Sequence, residues 1–271
     1  MAEIKKKQTA VIGFPLSHSL SLLLHNSIYA AEKISAQMRA VANQDVAALV
    51  KQIRETPFEL IAVTIPHKQT IMSFLDEIDA TVKAIGAVNT VINKKGKLFG
   101  YNTDVVGITK ALESIAIQGK DILVIGAGGA ALAAGYYIQQ KRGNLFCLNR
   151  SLKHASAFIQ KFGGHIATPL MLREKHFDLI INATPIGMAP NSSESPLPNY
   201  TFNSNQIIFD LIYNPFETRF LKEAKITGAK IISGLTMLIA QGLEQERLWY
   251  GKKLNHEKYE RIVRNTLTRT I

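Results

Sequence analysis

Residues 121–135 read DILVIGAGGAALAAG. A run of apolar, β-branched residues stops at Gly126, Gly128 and Gly129 follow, and an alanine-rich stretch with helical character takes over. Strand, glycine loop and helix in that order suit a dinucleotide. The glycines allow a tight turn and close backbone approach to a pyrophosphate, and the helix N-terminus offers free amides and the positive end of its dipole. Ala131 stands where a third glycine is usual, and its methyl still permits close packing of helix on strand. A glycine turn in any sheet protein would look similar; it is the strand–loop–helix context that favours nucleotide binding.

The next strand-like run, NLFCL, ends in Asn149-Arg150-Ser151, with Lys153 nearby. At about 20 residues past such a loop, an NAD site presents a carboxylate to the ribose 2′-hydroxyl. A guanidinium there would instead bind a 2′-phosphate through charge-assisted hydrogen bonds. The pattern therefore favours NADP over NAD. The bland alternative for Arg150 is a solvated loop residue.

Outward from this unit the chain alternates. TAVIG near residue 10, LIAVTI (60–65), LFCLN, DLIINAT and IIFDLIY read as strands. HNSIYAAEKI, DVAALVKQIRE, HASAFIQKF and the late MLIAQGLEQERLWYG read as helices. Such alternation predicts an α/β protein with largely parallel sheets. A boundary is expected just after YNTD (101–104), with VVGITKALESI bridging two halves, and APNSSESPLPN (189–199) reads as a surface excursion.

The chain has 271 residues, 46% hydrophobic and 20% charged, which is enough for two domains with ample cores. No apolar run approaches a membrane span, and the lysine-bearing N-terminus has too short an apolar stretch for a signal peptide. A cytoplasmic protein is the expectation. The single cysteine, Cys147, excludes an internal disulfide and reads as a buried strand residue. The net charge of +11 is scattered rather than clustered with aromatics, which argues against nucleic-acid binding. It leaves a solvated basic surface or attraction of anionic small molecules.

Four stretches of the first half put polar groups where a core would not want them. SHSLS (17–21) opens a helix-like segment, where its serines could hold a carboxylate or simply cap the helix. LIAVTIPHK (60–68) ends an apolar run at Pro66 and delivers Lys68; alternation places Ala62, Thr64 and Pro66 on one face. Lys68 is thereby presented at the edge where open parallel sheets bind ligands, unless it is a plain surface lysine. GAVNT (86–90) and GYNTD (100–104) each join glycine, asparagine and threonine, as a polar pocket or an ordinary side-chain-bonded turn would.

Taken together these stretches resemble the shikimate dehydrogenase family almost end to end. The family's opening turn appears as GFPLSHSLS (13–21) followed by His25-Asn26, and its lysine motif as VTIPHK (63–68). GAVNT, NTD, GAGGA (126–130), NRS (149–151), NATPIGM (182–188), DLIYNP (210–215) and Gly234 with MLIAQG (237–242) follow in order.

The resemblance implies a discontinuous N-terminal substrate domain, residues 1–104 completed by C-terminal helices 236–271, with a Rossmann-like NADP domain at 105–235. The active site would occupy the cleft. The implied reaction is the reversible NADP-dependent reduction of 3-dehydroshikimate to shikimate, a step toward chorismate and aromatic amino acids. By the same resemblance Ser19 and Ser21 would hold the substrate carboxylate with Thr64 and Tyr213. Asn89, Asp104 and Gln241 would hold ring hydroxyls, and Lys68 and Asp104 would form the catalytic pair. Gly126, Ala127, Gly128, Gly129, Ala130, Asn149, Arg150, Ser151 and Thr184 would bind the cofactor, with Leu211 and Gly234 beside the nicotinamide. The implied partners are small molecules only, with no metal, nucleic acid or membrane, and the assembly a monomer or homodimer. His18, His25 and His67 read as polar neighbours of the site.

Three positions depart from the family pattern. Ala62 replaces an asparagine before Val-Thr, Leu22 replaces a proline after the second serine, and His154 replaces an arginine after the NRS motif. They keep open a quinate/shikimate dehydrogenase of relaxed specificity and, more remotely, a non-catalytic NADP-binding regulator. Whether Lys68 is chiefly an acid–base group or an electrostatic clamp also stays open, because desolvation and a neighbouring carboxylate act on it in opposite directions.

Overall fold

The computed structural model describes residues 6–16 and 19–268. Ser17 and His18 of the serine-rich turn lie outside the described residues. The chain divides into two compact units: one runs up to Val106 and resumes at Leu238, and the other is Gly107–Met237.

The first unit contains β1 (Lys7–Gly13), α1 (Ser21–Ala31), β2 (Ala36–Ala42), α2 (Val46–Glu55), β3 (Phe58–Val63), β4 (Glu77–Ile78), α3 (Ala80–Ile85), β5 (Thr90–Lys94) and β6 (Lys97–Tyr101). Helix α4 (Asp104–Ala111) leads out of it. The strands form one sheet in the order β2-β1-β3-β5-β6-β4. Strands β1, β2 and β3 pair in parallel, as the alternating pattern predicts, but β5 lies antiparallel to both β3 and β6. The departure has a local cause. Only two residues, Lys95 and Gly96, separate β5 from β6, and both have positive φ, so the connection is a tight hairpin. Strand β3 also ends sooner than its composition suggests, at Val63 rather than at Pro66.

The helices begin where their caps lie. The Asp45 carboxylate accepts from the amides of Ala47 and Ala48 at the start of α2, and that of Asp79 from Val82 at the start of α3. The α1 start is different, since its N-cap residue is Leu20, whose side chain cannot cap it. Ala10, Ile12, Leu49, Ile53, Ile61, Val63 and Val91 make the core of this unit.

The second unit contains β7 (Asp121–Ile125), α5 (Gly129–Gln140), β8 (Asn144–Leu148), α6 (Leu152–Phe162), β9 (His165–Ile166), α7 (Pro169–Glu174), β10 (Leu179–Asn182), β11 (Ile207–Asp210), α8 (Arg219–Ile226) and β12 (Lys230–Ile232). All six strands are parallel, in the order β12-β11-β10-β7-β8-β9. The order reverses between β7 and β10, the switch point at which doubly wound sheets take ligands. Cys147 is buried in β8, where desolvation pushes its thiol up to about 12. Leu123, Ile125, Phe146, Phe177, Ile180, Ile208 and Phe220 form the core.

Helix α9 (Gly234–Tyr250) crosses the unit boundary, and α10 (His256–Thr268) packs on α1. One carboxylate ties this return. Glu32, capping the C-terminus of α1, accepts from Lys252, from Lys258 at 2.6 Å and from the Tyr259 hydroxyl at 2.6 Å. These bonds hold its carboxyl down at about 2. A depressed carboxyl stabilises the fold above its ordinary value of 4.5, and that stabilisation is lost as the pH falls through 2. Glu32→Gln is expected to speed amide hydrogen exchange in α10 by about tenfold at neutral pH while leaving the second unit unchanged. At pH 2 the variant and the parent should differ little.

No helix among the described residues is long and apolar enough to cross a membrane.

Candidate active site

The polar stretches of the first half converge because of the β5–β6 hairpin. Its register pairs Thr90 with Tyr101, and the Asn89 amide donates to the Tyr101 carbonyl at 3.1 Å. Asn89 therefore lies beside the Asn102-Thr103-Asp104 turn that starts α4. Asn102 shapes that turn: its Oδ1 accepts from the Asp104 amide and its Nδ2 donates to the Ala87 carbonyl. Lys68 joins from the turn after β3, where its carbonyl accepts from the Val88 amide at 2.7 Å.

The side chains complete the cluster. Lys68 Nζ donates to Asp104 Oδ2 at 2.5 Å, and Asn89 Nδ2 donates to Asp104 Oδ1 at 2.9 Å. Asn89 Nδ2 also reaches Gln241 Oε1 on α9 at 3.2 Å. Asn89 Oδ1 accepts from the Thr103 amide at 2.7 Å and from Thr90 Oγ1 at 2.8 Å. Asp104 is 4% exposed and Lys68 15%, so the ammonium retains an approach from solvent that the carboxylate lacks. A near-buried ion pair is tolerable only when its remaining hydrogen-bonding positions are filled, and Asn89 fills one on the carboxylate.

Lys68, Asn89, Asp104 and Gln241 are thus brought together, and Thr90 and Thr103, which the sequence reading gave no role, bind them from within the same motifs. Ser19, Ser21 and Thr64 stand half-buried at the start of α1 and just past β3. Among the described residues no hydrogen bond joins them to Lys68 or Asp104. The Ser19 hydroxyl accepts weakly from the Ser21 amide at 3.4 Å. His67 is buried with Nε2 on the Asn43 carbonyl, and His25 turns toward α9. Among the described residues no group of histidines, cysteines and carboxylates could hold a metal ion.

The second unit carries the glycine loop between β7 and α5. Gly126 has φ +108°, and a side chain there would press on Thr184 Cγ2 at 3.0 Å, so Thr184 borders the loop at the switch point. Gly128 is the N-cap of α5 with no side-chain cap, and a Cβ on it would meet nothing within 4 Å. The fold does not require glycine at 128, whereas an anion seated on the uncapped amides would. Arg150 is exposed beyond β8. Ser151 caps α6 through the His154 amide, so it has a structural task in addition to any ligand.

Tyr213, Leu211 and Gly234 also belong to this unit. A Cβ at Gly234 would fall 2.2 Å from the Leu211 carbonyl, which alone explains the glycine. The Leu211 loop is tied back by Asp210, whose Oδ1 accepts from the Ile212 amide and Asn182 Nδ2 and whose Oδ2 accepts from Thr218 Oγ1. Asn182 Oδ1 in turn accepts from Thr184. Burial pushes the Asp210 carboxyl up to about 6 against the pull of these donors.

An α/β oxidoreductase built around a dinucleotide loop is the class that this fold and these two sets of residues define. The chain belongs to the shikimate dehydrogenase family. Residues 11–91 match the shikimate dehydrogenase substrate binding domain. A shikimate dehydrogenase (NADP(+)) of Methanococcus maripaludis is 38% identical over 93% of this chain and 95% of its own. A crystal structure of a shikimate dehydrogenase in complex with NADP+ superposes with a TM-score of 0.89 at 34% identity, covering 98% of this chain and 97% of that one. The Thermus thermophilus shikimate 5-dehydrogenase in complex with NADP(H) and shikimate gives 0.86 at 34% identity, covering 96% and 99%.

The raised Asp210 carboxyl has a consequence for stability. A carboxyl that holds its proton more tightly when folded stabilises the fold at low pH, and the contribution is lost as the pH rises from 3.8 through 6. The shift corresponds to about 3 kcal/mol. Denaturant titrations at pH 4 and pH 7 should show that fall in the parent and a smaller one in Asp210→Asn.

Proposed function

We propose that the protein catalyses the reversible NADP-dependent reduction of 3-dehydroshikimate to shikimate in the cytoplasm, a step toward chorismate and the aromatic amino acids. The observation that carries this reading is the Lys68–Asp104 pair, 2.5 Å apart and anchored by Asn89, which in turn donates to Gln241. In this reading the first unit binds the substrate and the second binds the dinucleotide.

The second unit fits the cofactor on its own evidence, with an uncapped α5 N-terminus, open space at Gly128 and Arg150 in reach of solvent for a 2′-phosphate. Bound NADP(H) supplies the hydride, and the protein need only orient, polarise and move one proton. Lys68 directs its ammonium at the reacting oxygen, protonating the alkoxide formed on reduction and recovering the proton on oxidation. Asp104 holds the Lys68 ammonium in line and accepts from a substrate hydroxyl. Asn89 and Gln241 orient neighbouring hydroxyls, while Ser19, Ser21 and Thr64 receive the substrate carboxylate.

Ala62 favours one second reading. It is buried on β3 and contributes no amide where the family usually has asparagine, so selectivity between shikimate and quinate could be relaxed. Steady-state rates with shikimate and quinate, each with NADP+ and NAD+, separate these cases. Dominant turnover of shikimate with NADP+ supports the main reading. Comparable quinate rates or efficient NAD+ use support the second, and no turnover in any combination rules out both.

Lys68→Ala is expected to lower turnover about 100-fold or more while NADP+ binding, followed by fluorescence, persists. Near-normal turnover would remove Lys68 from the chemistry.

A further inference from the structure

One buried ionisable pair takes no part in this scheme. His25 on α1 and Glu246 on α9 are 0% and 1% exposed, with Nδ1 and Oε1 2.5 Å apart. Two apolar residues of similar size would pack there without the desolvation penalty, so packing does not account for the pair. Its further contacts lead toward the active-site cluster. His25 Nε2 faces Gln245 Oε1 at 3.0 Å. Gln245 Nε2 donates to the Asn89 carbonyl at 3.2 Å and to Thr90 Oγ1 at 3.0 Å. Thr90 Oγ1 then donates to Asn89 Oδ1.

Donor and acceptor capacity fixes the protons along this path. A main-chain carbonyl can only accept, so Gln245 must turn its NH2 toward Asn89 and its oxygen toward His25. His25 Nε2 must therefore carry a proton. The Thr90 hydroxyl, already accepting from Gln245, has its own proton for Asn89 Oδ1. With that oxygen occupied by Thr90 and the Thr103 amide, the Asn89 NH2 is left facing Asp104 and Gln241. Glu246 supports the arrangement from the far side of the ring. Its Oε1 engages Nδ1, while its Oε2 is buried with no hydrogen-bond partner among the described residues.

We infer that His25, Gln245 and Glu246 are positioning residues that set the orientation of the Asn89 amide, and through it the Asp104 carboxylate, for a hydroxyl-bearing substrate. The inference rests on the dehydrogenase reading above. None of the three touches the reacting atoms; they act through Asn89.

The test compares kcat/KM for shikimate per folded enzyme with KM for NADP+. Gln245→Met removes the donor to Asn89 and Thr90 at similar volume, and should lower kcat/KM for shikimate about tenfold with KM for NADP+ unchanged. Glu246→Leu should act in the same direction. Glu246→Gln should regain most of the loss, because an amide NH2 can donate to Nδ1 and leave the Nε2 proton in place. A role in stability alone would instead lower the melting temperature and leave kcat/KM where it was. Wild-type kcat/KM in Gln245→Met overturns the inference, and that variant decides the matter should Glu246→Leu fail to fold. Absence of shikimate turnover in the parent removes the dehydrogenase reading and this inference together; normal parent turnover with unaltered variants removes the inference alone.

Discussion

The polar cluster of the first unit depends on one side-chain amide. Lysine and aspartate can share a poorly solvated position only if the lone pairs left over by their contact find other donors. Asn89 supplies one to Asp104 and is itself held by the Thr103 amide and the Thr90 hydroxyl. The amide is in place because of strand register. With Thr90 opposite Tyr101, the residues that precede β5 and follow β6 are adjacent, and a one-residue slip would send them to opposite faces. The two-residue hairpin leaves little room for such a slip. The antiparallel insertion in an otherwise parallel sheet is therefore what assembles the cluster.

The second unit uses a related device. Asp210 at the end of β11 is bonded by Asn182 at the end of the neighbouring β10, and the same pair fastens the Thr184 and Leu211 loops. Both units thus place a buried carboxylate against an asparagine at strand termini, where the ladder no longer supplies partners. The difference lies in the third participant. Asp104 faces a lysine, while Asp210 faces only neutral donors and holds its proton to about 6. The first arrangement suits proton handling, and the second suits rigid support of loops.

The parallel sheet of the second unit was legible from the glycine loop and the alternation of apolar runs, because burial on both faces leaves continuous β-branched segments. The motif stretches announced Lys68, Asn89, Asp104 and Gln241 through their ordered resemblance to a family. Other features left no such trace. The serines of SHSLS read equally well as a carboxylate site or a helix cap; Leu20 takes the N-cap, and Ser19 beside it makes only a long bond to the Ser21 amide. Pro66 suggested the end of β3, but the strand stops at Val63, where its pairing with β5 is already spent. The mixed character of the first sheet was hidden too, since a short hairpin after a run of parallel strands reads like any other turn.

What the sequence determined by itself is the kind of fold and the inventory of reactive groups, because periodicity, glycine placement and capping residues act locally. Which polar groups meet was decided by the tertiary structure. His25 and Gln245 stand 220 positions apart, and Asn89 and Gln241 stand 152 apart. No local pattern encodes pairings of that range. They exist because α9 carries the chain back into the first unit, where water is excluded and each buried donor must find its acceptor.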